Sequence, residues 1–203
     1  MKNVLAFCAW IGLVFLSGCA VPEPGPLHLA DDFHSRQITK VVLLEIAFLD
    51  PPLDNILQDR AVDAIAVEAA RVLGGKGYQV RLLGQKEPAP VWGRDVVDPE
   101  ALRVTARQHA GSADAVVHIQ VDHFLWNGGS LVEQDGGGGG DSLDIYGTAS
   151  LYASATGEEL WKGKGTGQSM MTTRSAGLYG PDLHVPVQTL VRSLFATLPP
   201  ARL

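Results

Sequence analysis

The order of apolar and polar positions in the first half of the chain predicts two strands and two helices. Residues 38–49 are rich in β-branched residues and almost continuously apolar, which is typical of a strand covered on at least one face. Residues 54–73 place their apolar side chains on one side of a helix, which ends at the glycines that follow. Residues 78–83 predict a second strand, and residues 98–111 predict a second helix that begins with a cap residue and a proline.

The second half of the chain predicts three more strands, at residues 113–125, 143–155 and 158–168, and a last helix at residues 183–198. This order predicts an α/β or α+β domain with a single mixed sheet of about five strands. We expect about three helices to back this sheet on one face.

The third and fourth predicted strands alternate in a way that separates a buried face from an exposed one. Leu143 and Ile145, for example, share one face, whereas Tyr146 and Thr148 share the other. Because the helices are expected on one side, the polar face is expected to be open. Its expected members are His118, Gln120, Asp122, Tyr146, Thr148, Ser150 and Tyr152.

Aromatic side chains among amide, hydroxyl and carboxylate groups are typical of protein-binding surfaces, because they add contact area at little entropic cost. We therefore predict that a partner binds this face. Trp161 joins the face if the turn before it has two residues, and Trp92, in a proline-rich loop, is a further candidate contact. A solvated face that binds no partner is the alternative.

Composition restricts the class of protein. The 203 residues are 46% apolar and carry a formal net charge of −6, which argues against a disordered chain and against a nucleic-acid-binding surface. Two cysteines are too few for a disulfide scaffold. One domain of ordinary size is the expectation.

The N-terminal residues predict export and a lipid anchor. Residues 1–18 combine Lys2 with an apolar stretch and are typical of a secretory signal peptide. The segment Leu16-Ser17-Gly18-Cys19 resembles the bacterial lipobox, which implies cleavage before Cys19 and acylation of its thiol. An ordinary signal-peptidase site that happens to precede a cysteine is the alternative. Ala20 follows, and by resemblance to Gram-negative lipoproteins a residue other than Asp at this place favours the outer membrane.

Residues 19–36 are expected to form a tether between the acylated cysteine and the folded part. Proline alternates at Pro22, Pro24 and Pro26, which excludes a helix and favours an extended spacer. Residues 37–203 are then expected to form a domain on the periplasmic side of the outer membrane. Several acyl chains would make the anchoring effectively permanent.

No pattern in the sequence predicts catalysis, a cofactor or a metal site. His118, Asp122 and His123 are residue types that bind metals, but strict alternation places His123 on the opposite face from the other two. The glycine-rich residues 136–140 and 163–167 lack the spacing of a phosphate-binding loop, and no nucleophile motif is present. We expect a protein that is not an enzyme.

Several short segments resemble one group of bacterial proteins. Gly77-Tyr78, Ala113-Asp114-Ala115, and Thr156-Gly157 followed by Leu160-Trp161 are similar to envelope lipoproteins with a TolB-amino-terminal-like or anticodon-binding-like α/β domain. That group includes small lipoproteins of unknown function, lipoprotein activators of penicillin-binding proteins and the curli-secretion lipoprotein. The resemblance covers about residues 38–165. The chain departs from the curli-secretion lipoprotein in lacking its amphipathic transmembrane hairpins.

The resemblance implies a non-enzymatic accessory protein that acts through protein contacts at the outer membrane. The leading expectation is an anchored adaptor that binds an unidentified envelope protein in assembly, transport or cell-wall synthesis. The alternative is a periplasmic module that binds a small ligand or a glycan, with the open face and Trp92 as its site. An enzyme, whose polar site would have to be drawn from distant segments of the chain, is the third alternative. Formation of a homo-oligomer is compatible with all three.

Overall fold

The structure is a computed structural model that describes residues 25–50, 55–83, 98–127, 141–171 and 182–202. These residues form one open mixed sheet of seven strands with three α-helices. The predicted α/β class is confirmed, although the sheet has more strands than the five or so expected. None of the helices in these ranges combines the length and the apolarity that a bilayer-spanning helix requires.

Three long antiparallel strands form the centre of the sheet. In chain order the strands are β1 His28–Leu29, β2 Lys40–Leu43, β3 Ala47–Phe48, β4 Gln79–Leu82, β5 Ala115–Asn127, β6 Asp141–Ala153 and β7 Glu159–Met171. Their order across the sheet is β1-β7-β6-β5-β2-β4, with β3 beside β5. β2 runs parallel to β4 and β5, whereas β5, β6 and β7 pair antiparallel.

The helices lie close to their predicted positions. They are α1 Asn55–Gly75, α2 Pro99–Gln108 and α3 His184–Leu194. At the start of α2 the Asp98 carboxylate accepts a hydrogen bond of 2.9 Å from the amide of Glu100, so Asp98 is the N-cap that its place before a proline predicts.

The predicted strand at residues 38–49 is two strands, β2 and β3. Leu43 lies opposite Val117, whereas Ala47 lies opposite Gln120, so the pairing with β5 shifts by one residue between the two strands. Glu45 lies in this break and is exposed. The shift carries the charged side chain to solvent while the apolar residues on either side of it remain buried.

The sheet also includes residues from the segment expected to be the tether, 19–36. Leu29 of β1 pairs with Trp161 of β7. Phe33, in a 3₁₀ turn at Phe33–Ser35, is buried in the core. A strand of two residues is too short to show alternation, which is why the sequence does not predict β1.

The helices cover both faces of the sheet rather than the single face expected. Val41 and Val117 enter the core cluster that contains residues of α1 and α3. Their neighbours Val42 and Val116 enter a second cluster, with Leu102 of α2. Because successive strand side chains point to opposite faces, α2 must lie on the face opposite α1 and α3.

Direct packing of α3 on β7 requires glycine in the strand. A Cβ atom at Gly163 would lie 2.5 Å from the carbonyl oxygen of Leu194, and one at Gly165 would lie 2.5 Å from the Leu194 nitrogen. A Cβ atom at Gly167 would overlap the carbonyl oxygen of Pro186. The backbone of the helix therefore packs against the backbone of the strand along three alternate positions.

We predict that Gly165→Ala lowers the free energy of unfolding by about 1–3 kcal/mol, because the added methyl group forces α3 away from the sheet. Gly74→Ala is the matched control, since a Cβ atom there meets nothing within 4 Å. It should change the stability by no more than about 1 kcal/mol, in the stabilising direction. Urea unfolding of both variants measures the difference, and equal effects would contradict the proposed packing.

Candidate binding face

The face of the sheet opposite α1 and α3 is open to solvent where the long strands extend past α2. Two cross-strand rows and one further carboxylate make up this surface, here named the open patch: Gln120, Thr148 and Lys164; His123, Tyr146 and Thr166; and Asp122. All of these side chains are half-exposed or exposed. The sequence predicts four of them, Gln120, Asp122, Tyr146 and Thr148.

Contacts within and beside the open patch hold its side chains in place. The Gln120 amide donates a hydrogen bond of 2.6 Å to the carboxylate of Asp122. The Gln168 amide donates to the hydroxyl of Tyr146 at 3.5 Å, and the ring of Tyr146 meets the His123 ring edge-on with 6.5 Å between centroids. Side chains that already contact one another in this way lose less conformational entropy when a partner binds.

A β-bulge brings His123 into the open patch, which corrects the expectation from alternation. The pairing of β5 with β6 shifts between Val121 and His123, so His123 lies opposite Tyr146. A bulge inserts one extra residue in a strand and reverses the faces of the residues after it. Phe124 accordingly points into the core.

The other end of the same face is covered, and three predicted members of the binding face are buried there. His118 is 4% exposed, Ser150 5% and Tyr152 4%. Tyr152 packs in the cluster that contains Leu102 and Ala106 of α2. The expectation that His118, Ser150 and Tyr152 lie exposed on an open face is therefore wrong for the folded chain, because α2 lies on the face that was expected to be free of helices.

Burial changes the ionisation of two of these side chains. Burial, followed by the positive charge of Lys162, lowers the pKa of His118 to about 4. Burial, followed by the nearby carboxylate of Glu159, raises the pKa of Tyr152 well above its usual range. The Tyr152 hydroxyl donates a hydrogen bond of 3.1 Å to that carboxylate. Both side chains are therefore neutral at pH 7 and part of the packing.

Trp161 lies on the face that carries α1 and α3, not on the open face. The pairing of β6 with β7 shifts between Leu151 and Tyr152, and as a result Trp161 lies opposite Leu151. Its ring is fully buried and stacks on Phe195 at 5.8 Å, and its indole nitrogen donates to the hydroxyl of Thr197 at 3.3 Å. The turn before Trp161 therefore does not have the two residues that would place this side chain on the open face. Trp92 and Cys19 lie outside the described residues.

Two cavities lined by described residues lie away from the open patch. One of about 640 Å³ between α1 and α3 includes Glu68 and His184. Glu68 is 7% exposed, and its hydrogen bond with Arg71 holds its pKa below the usual range. The other cavity, of about 510 Å³, lies between α2 and the turn that joins β6 and β7, and includes Arg103 and Glu159.

No cluster of three or more His, Cys, Asp or Glu side chains that could hold a metal ion occurs among the residues that the structure describes. His123, although it shares a face with Asp122, does not complete such a group. Metal binding at the open patch therefore receives no support from the geometry.

Lys164 and Thr166 belong to the open patch but are not among the residues predicted for the binding face. A signal for them exists in residues 163–168, where glycine alternates with polar residues. This pattern gives a strand one face without side chains and one polar face. The glycines mark the contact with a helix, and the polar residues mark the solvent side.

No protein-family model matches the sequence, and no curated protein matches it. Solved structures match the chain at low sequence identity. The PelC dodecamer from Paraburkholderia phytofirmans is 20% identical over 89% of this chain and 96% of that chain, with a TM-score of 0.46. The lipoprotein GNA1162 from Neisseria meningitidis is 17% identical over 70% of this chain and 90% of that chain, with a TM-score of 0.47. At these values the similarity concerns the fold alone.

We predict that His118 makes stability depend on pH between about 6.5 and about 4. The folded chain keeps His118 neutral down to about pH 4, whereas the unfolded chain protonates it near pH 6.5, so the unfolded state binds more protons in this interval. The contribution of His118 to the free energy of unfolding is complete above pH 6.5. It falls by up to roughly 3 kcal/mol as the pH decreases to 4. Unfolding free energies measured across this range should show a weaker slope for His118→Gln, and parallel curves would refute the assignment.

Proposed function

We propose that this chain is a periplasmic lipoprotein, anchored to the outer membrane through acylated Cys19, that acts as a non-enzymatic adaptor for an envelope protein. Two features support the proposal: the lipobox-like segment Leu16-Ser17-Gly18-Cys19 and the open patch. The resemblance to TolB-amino-terminal-like envelope lipoproteins points in the same direction and stays a prediction from the sequence.

The open patch is the observation that carries the adaptor assignment. It is a surface on three neighbouring strands whose residues line neither of the two cavities, with Tyr146 and His123 beside amide, hydroxyl and ammonium groups. Aromatic residues surrounded by polar groups are typical of protein interfaces, whereas small ligands bind in concave sites. Its hydrogen bonds join amides to a carboxylate and to a phenol, an arrangement that orders side chains and activates no nucleophile.

The position of β1 supports an adaptor that works close to the membrane. Because His28 is already part of the sheet, residues 20–27 alone separate the proposed anchor from the fold. At about 3.3–3.6 Å per residue they span at most about 29 Å. Confinement to so thin a layer raises the effective concentration of a membrane-associated partner, so that a modest interface suffices.

The cavity of about 510 Å³ between α2 and the turn that joins β6 and β7 favours a second candidate, a module that binds a small ligand or a glycan. Its size is within the range of ligand sites. Arg103, Arg107 and Glu159 supply charged groups for a polar ligand. In this candidate the open patch is a solvated surface.

A photo-crosslinking amino acid placed at Tyr146 or Thr166 in living cells tests the adaptor function. We expect one discrete adduct with an envelope protein from both positions. The control position is Val67 on α1, which is 65% exposed and lies on the other side of the sheet, and should give no such adduct. Adducts of the chain with itself alone would indicate a homo-oligomer instead, and no adduct at all would favour the ligand-binding module.

Anchoring is tested by Cys19→Ala, with Cys8→Ala as the matched control because Cys8 lies within the predicted signal peptide. We expect Cys19→Ala to abolish the acyl mass measured on the chain and to weaken crosslinking from Tyr146, because the chain is no longer confined to the membrane. Cys8→Ala should retain both. An unmodified cysteine in the parent chain would rule out the anchor.

A further inference from the structure

The outer edge of β7 is unpaired along most of its length within the described residues. β1 pairs there with Trp161 and Lys162 only. Lys164, Thr166 and Gln168 are exposed farther along the strand. Globular proteins rarely leave a long, regular strand edge without protection, because its free backbone groups can pair with another chain.

The backbone groups that this edge offers are identified by the alternation of the ladder. The carbonyl oxygens of Leu160 and Lys162 accept hydrogen bonds from Ala30 and Leu27 on the β1 side. From Lys162 to Gln168 the pairing with β6 has no irregularity, so successive residues direct their backbone groups alternately toward β6 and toward the outer edge. The N–H and C=O groups of Lys164, Thr166 and Gln168 therefore point outward.

The packing of α3 decides what can pair with this edge. α3 lies directly over β7, with the backbone of Leu194 above Gly163 and Gly165. A second copy that paired antiparallel through its own β7 would bring its α3 within about one strand spacing, 4.8 Å, of the first α3, whereas packed helices need 8–10 Å. A single extended segment, which has no helix above it, fits.

The positive charges beside this edge favour extended segments that carry acidic residues. Lys162 and Lys164 lie on the same face of the edge, on the side of the open patch. An acidic residue opposite Lys164 is also diagonal to Lys162, and cross-strand pairs of opposite charge stabilise a sheet. Lysine on an edge strand disfavours basic partners.

We propose that the outer edge of β7, from Lys164 to Gln168, binds an extended acidic segment of a partner protein as an additional strand. The segment would supply main-chain hydrogen bonds to the three outward-pointing residues and carboxylates to the two lysines. The inference rests on the proposed adaptor function, since it names the kind of segment that the partner presents beside the open patch.

A synthetic peptide of alternating glutamate and valine, with capped ends, tests the edge on the full-length chain purified in detergent. We expect it to bind and to protect the amides of Lys164, Thr166 and Gln168 from hydrogen exchange. A peptide with lysine in place of glutamate, and one with alternate amides methylated, should bind at least about tenfold more weakly.

Two variants locate the site. Lys164→Glu should weaken binding by at least about tenfold through charge reversal. Thr166→Pro should do the same by removing one outward N–H while leaving the bonds to β6 intact. Arg81→Glu on the opposite edge strand β4 is the control for net charge and should leave binding unchanged.

Binding that none of the edge variants alters would overturn the proposal. A second result would also overturn it. If the three amides are protected in the free chain and lose this protection when residues 20–26 are deleted, the chain's own N-terminal segment occupies the edge. Protection that rises with protein concentration would assign the edge to a second copy. The adaptor function itself is judged separately, by crosslinking in cells, and survives each of these outcomes.

Discussion

The contact of α3 with the glycine positions of β7 is the constraint on which the rest of this structure depends. Gly163, Gly165 and Gly167 leave one face of the strand without side chains between Trp161 and Ser169, so the helix packs on its backbone. Trp161, just before the glycines, fills the space at the end of the helix and stacks on Phe195. With α3 so placed, and α1 beside it, one face of the sheet is closed and the polar residues of β7 are left on the other.

The second constraint is the position of α2, which divides this other face. Near the start of β5 the helix covers Val116 and Tyr152, and His118 is buried there as a neutral side chain. Farther along the same strands, Gln120 and Tyr146 remain accessible. The open patch is thus the part of a larger polar face that none of the three described helices covers. Its neighbour is the outer edge of β7 beyond Lys162, which no strand of the described residues pairs with because β1 is short.

Periodicity in the sequence predicts the elements well and their mutual placement only in part. The alternation of Leu143 to Tyr152 assigns the two faces of β6, yet it does not say which face each helix covers, so Tyr152 is expected at the surface and is buried. Single-residue shifts cannot be derived from alternation either. The bulge before His123 moves that residue into the open patch, and the shift before Trp161 moves that residue out of it.

The reactivity of the tyrosines tests most directly which part of the sheet face is open. Tyr146 is half-exposed, whereas Tyr152 and Tyr78 are each 4% exposed, and burial raises the pKa of Tyr78 to about 12. Nitration requires an accessible phenolate, so limited treatment of the native chain followed by mass spectrometry should modify Tyr146 well before Tyr152 or Tyr78. Equal rates at Tyr146 and Tyr152 would show that α2 does not cover one end of the face, and would contradict this account.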